Sequence, residues 1–294
     1  MSKFILKVEC KSQPGVVAEI STFLANRNCN ITDSAQYDDL DVSGFFMRIS
    51  FDCEEQLDIC EFEKSFVPIA QKLDMQFEFF DTSHRMKVMI FVSKFGHCLN
   101  DLLYRYRIGA LPVEIAGVIS NHETYRDLVE NQSIPFHYIP VTRENKISAE
   151  QQQLKLIEET NADLVILARY MQVLSDEMCT RMAGRIINIH HSFLPSFKGA
   201  NPYKQAHNKG VKLVGATSHY VTADLDEGPI IEQDTVRVTH AQSANDFVAL
   251  GRDVESQVLA RAIHAHIHHR TFIAGQKTVV FPASPDSYAS VRVL

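Results

Sequence analysis

The first 80 or so residues alternate between strand-like and helix-like patterns of apolar positions. FILKVEC alternates apolar and polar side chains, as a half-buried strand does, and residues 16–24 then place apolar side chains at helical spacing. Two strand-like runs, NITDSAQYDD and GFFMRISFDC, flank a turn at 41–44. A helical segment at 55–73 and the strand-like MQFEFFDT follow. This βαββαβ order predicts a ferredoxin-like unit.

A different pattern begins at MKVMIFVS, where nearly continuous apolar strands alternate with more polar helical segments. The strands are MKVMIFVS, VEIAGVIS, FHYIPV, LVILARY and IINIH, and the intervening helices are expected near 98–107, 124–132 and 148–160. Strands of this kind indicate a parallel sheet covered on both faces. We therefore predict a Rossmann-like α/β domain, in which a last helix at about 243–268 precedes the apolar segment KTVVF.

The polar stretch DTSHR separates the two patterns. We expect a first domain at 1–82, a linker at 83–86 and a second domain at 87–294, with 282–294 as a tail. A chain of 294 residues with 45% apolar residues can form two ordinary cores, which argues against wholesale disorder.

Charge and composition exclude several classes of protein. The net charge of −7 and the lack of a dense basic block argue against nucleic-acid binding. The N-terminus is too short and polar for a signal peptide, and no apolar run is long enough to cross a bilayer, so we expect no membrane association. The six cysteines show no paired spacing; they are residues 10, 29, 53, 60, 98 and 179. This pattern predicts reduced thiols in a cytoplasmic protein and no zinc framework.

Polar side chains stand at the end of a buried strand and in a later acidic turn. Asn188 and His190 end the strand IINIH, and Asp226 lies in TADLDEGP beside Gly228. Ligands of such sheets bind at the carboxyl ends of strands. An amide N–H can stabilise an oxyanion, an imidazole can transfer protons, and a carboxylate can orient the imidazole or hold a water. Spacing alone leaves ordinary structural polar groups as the alternative.

The stretch NIHHSFLPSFKGANPYKQA, followed by GATSHYVTADLDEGPIIEQD, resembles the formyl-tetrahydrofolate transferase/hydrolase family, and within it the deformylase branch. RDLVENQSIPFHYIPVTRENK, ILARYMQVLS and HHRTFIAGQKTVVF extend the resemblance over nearly the whole chain. It implies that Asn188, His190 and Asp226 are catalytic and that His219 supports them. It also implies a folate pocket formed by ARYMQVLS and the later turn, with Met171, Val173, Leu174, Thr222, Asp224 and Gly228 as binding residues.

The N-terminal stretch KSQPGVVAEISTFLANRNCNITDSAQ resembles the ACT regulatory module. That resemblance implies an amino-acid effector, with glycine and methionine as candidates, and a homo-oligomer, either a dimer or a tetramer. The effector residues would be Gln13, Pro14, Gly15, Val16, Asn30 and Ile31. A plain turn with an oligomerisation surface is the equally weighted alternative.

Three functions remain open on the sequence. The first is hydrolysis of 10-formyltetrahydrofolate to formate and tetrahydrofolate, which balances the one-carbon pool and supplies formate for purine biosynthesis. The second is formyl transfer to an amine such as glycinamide ribonucleotide, and the third is a non-catalytic amino-acid sensor. The transferases hold a phosphate on a small-residue loop after the first strand, whereas residues 93–99 contain one glycine, so we favour hydrolysis without metal or redox cofactor. We expect Phe95, His97 and Cys98 to narrow that end of the cleft.

Three further histidines are expected to have no part in the site. His191 adjoins His190, and because neighbours on a strand point to opposite faces, we expect it to lie outside the site. His264 and His268 are four residues apart on the last helix, and with no third ligand we expect a solvated helix face.

Overall fold

The computed structural model describes residues 2–41, 43–53, 58–195 and 202–283. Within them the chain forms two compact units. The first comprises the chain up to Arg85 together with His268–Phe272 and residues 279–283, and the second comprises Met86–Ile267 and Ile273–Thr278. The predicted tail lies, from residue 284, outside the described residues.

The first unit is a four-stranded antiparallel sheet with two helices, which confirms the βαββαβ prediction. Its strand order is β2-β3-β1-β4. The elements are β1 (Ser2–Lys11), α1 (Val16–Ala25), β2 (Cys29–Asp39), β3 (Gly44–Cys53), α2 (Ile59–Lys72) and β4 (Gln76–Asp81). Phenylalanine rings dominate the core: Phe23 lies edge-on to Phe62 and Phe66, with centroids 5.0 and 4.9 Å away.

One prediction about the cysteines is wrong in this unit. Cys29 and Cys53 form a disulfide, with their Cα atoms 4.6 Å apart. The two residues lie directly opposite each other on the antiparallel pair β2–β3, a pairing that their separation of 24 residues in sequence does not reveal. Among the described residues, Cys10, Cys60, Cys98 and Cys179 are free, and three of these are buried.

The second unit is built on a seven-stranded sheet with the order β11-β10-β9-β8-β5-β6-β7. Strands β5 to β9 pair in parallel, and β10 and β11 pair antiparallel at one edge, which confirms a mostly parallel α/β fold. The strands are β5 (Lys87–Val92), β6 (Glu114–Ser120), β7 (Phe136–Tyr138), β8 (Leu164–Leu167), β9 (Ile186–His190), β10 (Leu213–Tyr220) and β11 (Ile230–Arg237).

Helices cover both faces of this sheet, as the continuous apolar strands predict. They are α3 (His97–Ile108), α4 (Arg126–Glu130), α5 (Lys146–Thr160), α6 (Asp176–Arg181), α7 (Pro202–Lys209) and α8 (Ala244–Ile267), and a hairpin of β12 (Thr271–Ala274) and β13 (Lys277–Val280) follows. Side chains of α3 and α8 pack on one face and those of α5 and α6 on the other. None of the described helices has the length and apolar character needed to span a membrane.

The prediction of a solvated face at His264 and His268 is wrong. His264 is buried on α8, and His268 lies just beyond the end of that helix rather than one turn along it. Burial, assisted by the charges of Arg270 and Arg48, lowers the pKa of His268 to about 4. The helical spacing was right for most of α8, but the helix is covered on more sides than its polar residues suggest.

Candidate active site

A cavity of about 240 Å³ opens beside the end of β9. Three segments form its walls: residues 169–174 after β8, residues 188–191 at the end of β9, and the turn 221–226 after β10. Leu167, Cys179 and His219 complete the lining. The sheet therefore gathers into one cavity the polar residues that the sequence places at separate strand ends.

Strand geometry brings the predicted catalytic residues together. Asn188 and His190 are two residues apart on β9 and so share one face. His219 lies opposite Asn188 on the antiparallel neighbour β10. The turn after β10 brings Asp226 back over this face, where its Oδ1 lies 3.2 Å from His190 Nδ1 and 3.7 Å from His219 Nε2.

Hydrogen bonds fix the orientation of His219 and Asn188. Nδ1 of His219 lies 2.8 Å from the carbonyl oxygen of Tyr220, an acceptor, so this nitrogen carries a proton. Nε2 then lies 3.2 Å from the Asn188 amide nitrogen, within hydrogen-bond distance. An amide nitrogen has two protons, so Asn188 keeps a second N–H for a ligand.

The electrostatics of the cavity favour a charged Asp226. Burial by itself raises the pKa of this carboxyl, but the hydrogen bonds and charges of His190 and His219 more than offset it, and the pKa falls well below its usual value. The Nε2 atom of His190 is buried and has no hydrogen-bond partner among the described residues. A buried imidazole nitrogen without a partner is available for proton transfer to or from a bound molecule.

Five of the six residues predicted for folate line this cavity. Met171 and Val173 are about half exposed at 51% and 53%, whereas Leu174 is buried. Thr222 and Asp224 lie in the turn, where the Thr222 hydroxyl donates to the Asp224 carbonyl oxygen at 3.1 Å. Exposed apolar side chains at a cavity mouth suit a flat heterocycle.

Gly228 does not line the cavity, and the structure gives it another role. A Cβ atom at this position would lie 1.7 Å from the carbonyl oxygen of Tyr220. The backbone therefore closes onto β10 here, where the Tyr220 N–H also donates to the Pro229 carbonyl oxygen at 2.9 Å. Glycine permits this approach, and the approach sets the path of the turn that carries Asp226.

The prediction that His191 lies outside the site is wrong. β9 ends at His190, so the alternation of strand side chains does not extend to His191. Its ring lies 5.2 Å from that of His190, and both rings line the cavity. Burial, together with the nearby charge of Arg169, lowers the pKa of His191 to about 4, so its ring is neutral at pH 7.

The loop after β5 differs from expectation, because Phe95, His97 and Cys98 are not among the residues that line this cavity. Phe95 is 45% exposed, and His97 is half-buried with its Nε2 atom 2.8 Å from Glu255. Cys98, however, points into the core and is 1% exposed, so it does not narrow the cleft.

Sequence reasoning missed a pair of hydrogen bonds that link the ends of neighbouring strands. The hydroxyl of Ser93, which follows β5, donates to the Asn121 side-chain oxygen at 2.7 Å and accepts from the Met171 N–H at 3.0 Å. The hydrogen bond between Ser93 and the Met171 N–H anchors the cavity wall that carries Met171. The signal was present in the sequence, because Ser93 and Asn121 are polar residues directly after apolar strands.

Arg169 was also missed, because it stands inside the apolar run LVILARY. It lines the cavity, is 8% exposed, and has a positive φ of 65°. Nothing in the apolar pattern indicates that its guanidinium group would be held inside the fold.

Four of the six residues predicted to bind an effector lie at the start of α1 in the first unit, and two lie on β2. Gly15 caps α1 with a φ of 94°, and the Gln13 amide donates to the carbonyl oxygen of Leu73 at 2.7 Å. Val16 is 2% exposed and belongs to the core. Pro14 is exposed, as are Asn30 and Ile31 on β2, so five of the six residues remain accessible.

Both units match families of known proteins. The family model described as formyl transferase matches residues 86–263, and the ACT domain model matches residues 4–59. The formyltetrahydrofolate deformylase of Bacillus subtilis is 47% identical over 94% of this chain and 93% of its own.

Solved structures extend the comparison. The formyltetrahydrofolate deformylase of Burkholderia mallei is 46% identical, with a TM-score of 0.92 over 96% of this chain and 100% of that chain. Glycinamide ribonucleotide transformylase 1 of Symbiobacterium toebii is 28% identical, with a TM-score of 0.64 over 69% of this chain and 97% of that chain. With two domain models in order and such identity along its whole length, the chain belongs to the formyltetrahydrofolate deformylases of the formyl transferase family.

Proposed function

We propose that this protein hydrolyses 10-formyltetrahydrofolate to formate and tetrahydrofolate. The observation that carries the proposal is the cluster of Asn188, His190 and Asp226 around one cavity, with His190 and Asp226 in direct contact. The names of its relatives state the same activity. Formyl transfer to an amine is the second candidate, and it is disfavoured because residues 93–99 contain one glycine where the transferases hold a phosphate on a loop of small residues. A non-catalytic sensor, the third candidate, would not need this complete set of side chains.

The proposed mechanism uses each member of the trio. Asp226 holds the attacking water and orients the His190 ring, whose Nε2 atom faces the reacting centre. The water oxygen bonds to the formyl carbon, and the developing oxyanion is stabilised by the free N–H of Asn188 and by His190. The bond from the carbon to N10 then breaks, and the proton released by the water reaches N10 through His190 or a second water. No step calls for a metal or redox cofactor.

The pterin ring is proposed to bind between the wall at Met171, Val173 and Leu174 and the turn at Thr222 and Asp224. Both walls line the same cavity as Asn188, His190 and Asp226. Replacing Val173 by Asp would place a charge at the apolar mouth, so we expect a raised KM with kcat less affected. Steady-state kinetics with 10-formyltetrahydrofolate measures both constants.

The first unit is proposed to bind an amino acid, with glycine and methionine as candidates, at Gln13–Val16 and at Asn30 and Ile31 opposite them. The match to the ACT domain and the exposed turn before α1 support this. The same module supports a dimer or tetramer. If added glycine and methionine change neither the melting temperature nor the rate of formate release, the proposal is wrong.

A cellular role follows from the proposed reaction. Hydrolysis would balance the one-carbon pool and supply formate for purine biosynthesis, and we place it in the cytoplasm. Four free cysteines among the described residues support that compartment, because cytoplasmic thiols are kept reduced. The disulfide of Cys29 and Cys53 is evidence against it, because disulfides are rare there.

A further inference from the structure

A buried group of charged and polar side chains adjoins the cavity, and the proposed mechanism does not use it. Its centre is Glu255 on α8, which is 1% exposed. One carboxylate oxygen lies 2.8 Å from His97 Nε2 and 3.3 Å from Arg169 Nε, and the other accepts from the Tyr203 hydroxyl at 2.6 Å. We call these four residues the Glu255 cluster.

The backbone of Arg169 is in a conformation that disfavours most side chains. A positive φ costs a non-glycine residue of the order of 1 kcal/mol or more, so the side chain must be held by its surroundings. Its Nη1 atom is buried and has no hydrogen-bond partner among the described residues. Glu255 is the carboxylate that the structure pairs with this buried cation.

Tyr203 is fitted closely to α8. A Cβ atom at Gly251 would lie 2.1 Å from the Tyr203 ring, so glycine at this position lets the ring lie against the helix one turn before Glu255. The ring of His191 lies 6.2 Å from that of Tyr203 and 5.2 Å from that of His190. One histidine ring therefore separates Tyr203 of the Glu255 cluster from His190.

A metal site is a weaker explanation of the same residues. The ligand atoms of His97, Cys98 and Glu255 lie within 4.8 Å of one another. However, Glu255 is already engaged by Arg169 and Tyr203, and a cation beside Arg169 would meet its positive charge. Burial also raises the pKa of the Cys98 thiol, which disfavours the thiolate that a metal needs.

We propose that Arg169 is the residue that restricts the attacking nucleophile to water. Its side chain is held by Glu255 and lines the same cavity as His190 and His191. In this proposal it fills the space through which an amine acceptor would otherwise reach the formyl carbon. The transformylase of Symbiobacterium toebii shares the fold and is named for glycinamide ribonucleotide, so the fold itself does not exclude an amine. The inference rests on the proposed function and identifies what decides between its hydrolytic and transfer forms.

The test is the partition of the formyl group in Arg169→Gly, because glycine adopts a positive φ without strain. The protein receives 10-formyltetrahydrofolate with saturating glycinamide, and formate and formylglycinamide are both measured. In the transfer, the amine nitrogen bonds to the formyl carbon, the bond to N10 breaks, and the proton lost by the amine goes to N10. We expect the ratio of formylglycinamide to formate to rise roughly tenfold or more over wild type.

A ratio is used because it does not depend on how much activity the variant keeps. Arg252→Ala is the matched control: it removes the other guanidinium over the Phe95 ring, 5.6 Å from its centroid, and should leave the ratio at the wild-type value. Arg169→Lys keeps a long side chain and the positive charge that pairs with Glu255, and should also stay near wild type. If Arg169→Gly does not fold, Arg169→Gly/Glu255→Gln removes both buried charges and takes its place.

The outcomes separate the two proposals. An unchanged ratio in a folded Arg169→Gly protein, or a wild type that already formylates glycinamide at the variant's ratio, overturns the role of Arg169 while hydrolysis stands. Failure of the wild type to release formate from 10-formyltetrahydrofolate, in contrast, overturns the proposed function itself.

Discussion

Asp226 is the residue on which the chemistry of the cavity depends most. Its contacts with His190 and His219 keep it charged. Replacing it by an amide removes the negative charge and turns one of its two acceptor oxygens into an N–H donor. We expect Asp226→Asn to lower kcat by roughly 100-fold or more, with similar losses in His190→Ala and Asn188→Ala. Steady-state kinetics with 10-formyltetrahydrofolate measures this.

The matched control for that substitution lies two residues away. Asp224→Asn makes the same chemical change in the same turn, on an exposed side chain that contacts neither histidine in the described contacts. It should raise KM and leave kcat within a few-fold of wild type. Equal losses of kcat in the two variants would show that the turn as a whole, and not Asp226, is responsible.

His191 should make stability depend on pH. Its pKa is about 4 in the folded protein, against 6.5 for an unperturbed imidazole, so between these values the unfolded chain binds more protons. Stability should therefore be lost as pH falls from 6.5 towards 4, by about 3 kcal/mol at most, and be constant above 6.5 as far as this group is concerned. Urea unfolding at pH 7 and pH 5 should show a smaller difference in His191→Gln than in wild type, and an equal difference would contradict this.

At the scale of elements, the turn 221–229 is the part that assembles the site. Gly228→Ala would push a Cβ atom into the Tyr220 carbonyl oxygen, so the turn must move and Asp226 with it. We expect kcat to fall at least tenfold, the scale of misplaced catalytic groups. The control is Gly210→Ala, where φ is 66° but a Cβ meets nothing within 4 Å. A loss of kcat in that variant as well would assign the effect to general destabilisation.

The elements themselves were largely predictable, because apolar periodicity decides them. The helix at 98–107 was expected and α3 spans His97–Ile108; the helix at 148–160 was expected and α5 spans Lys146–Thr160. Contacts across the sheet were not predictable. The position of His191 beside His190 depends on where β9 ends, and the pairing of Cys29 with Cys53 depends on which residues of β2 and β3 face each other. The spacing of apolar residues predicts neither.

At the scale of the whole molecule, the first unit includes residues from the end of the chain. The Arg48 side chain donates to the His268 carbonyl oxygen at 3.2 Å, and Phe46 packs edge-on against Phe272 at 5.6 Å. A fragment beginning at Met86 would leave Phe272 without this partner. We expect it to keep the α/β sheet but to aggregate, and Phe272→Ser in the fragment to reduce aggregation, as measured by light scattering. A monodisperse fragment that the substitution does not change would contradict the expectation.

The central claim is that water alone accepts the formyl group. The direct measurement is the rate of formate release by the purified wild-type protein from 10-formyltetrahydrofolate, with and without glycinamide ribonucleotide, against His190→Ala prepared in the same way. The account predicts formate release at full rate without any amine, no acceleration when the ribonucleotide is added, and loss of the activity in His190→Ala. Accumulation of formylated ribonucleotide in place of formate, when wild type receives both compounds, would contradict it.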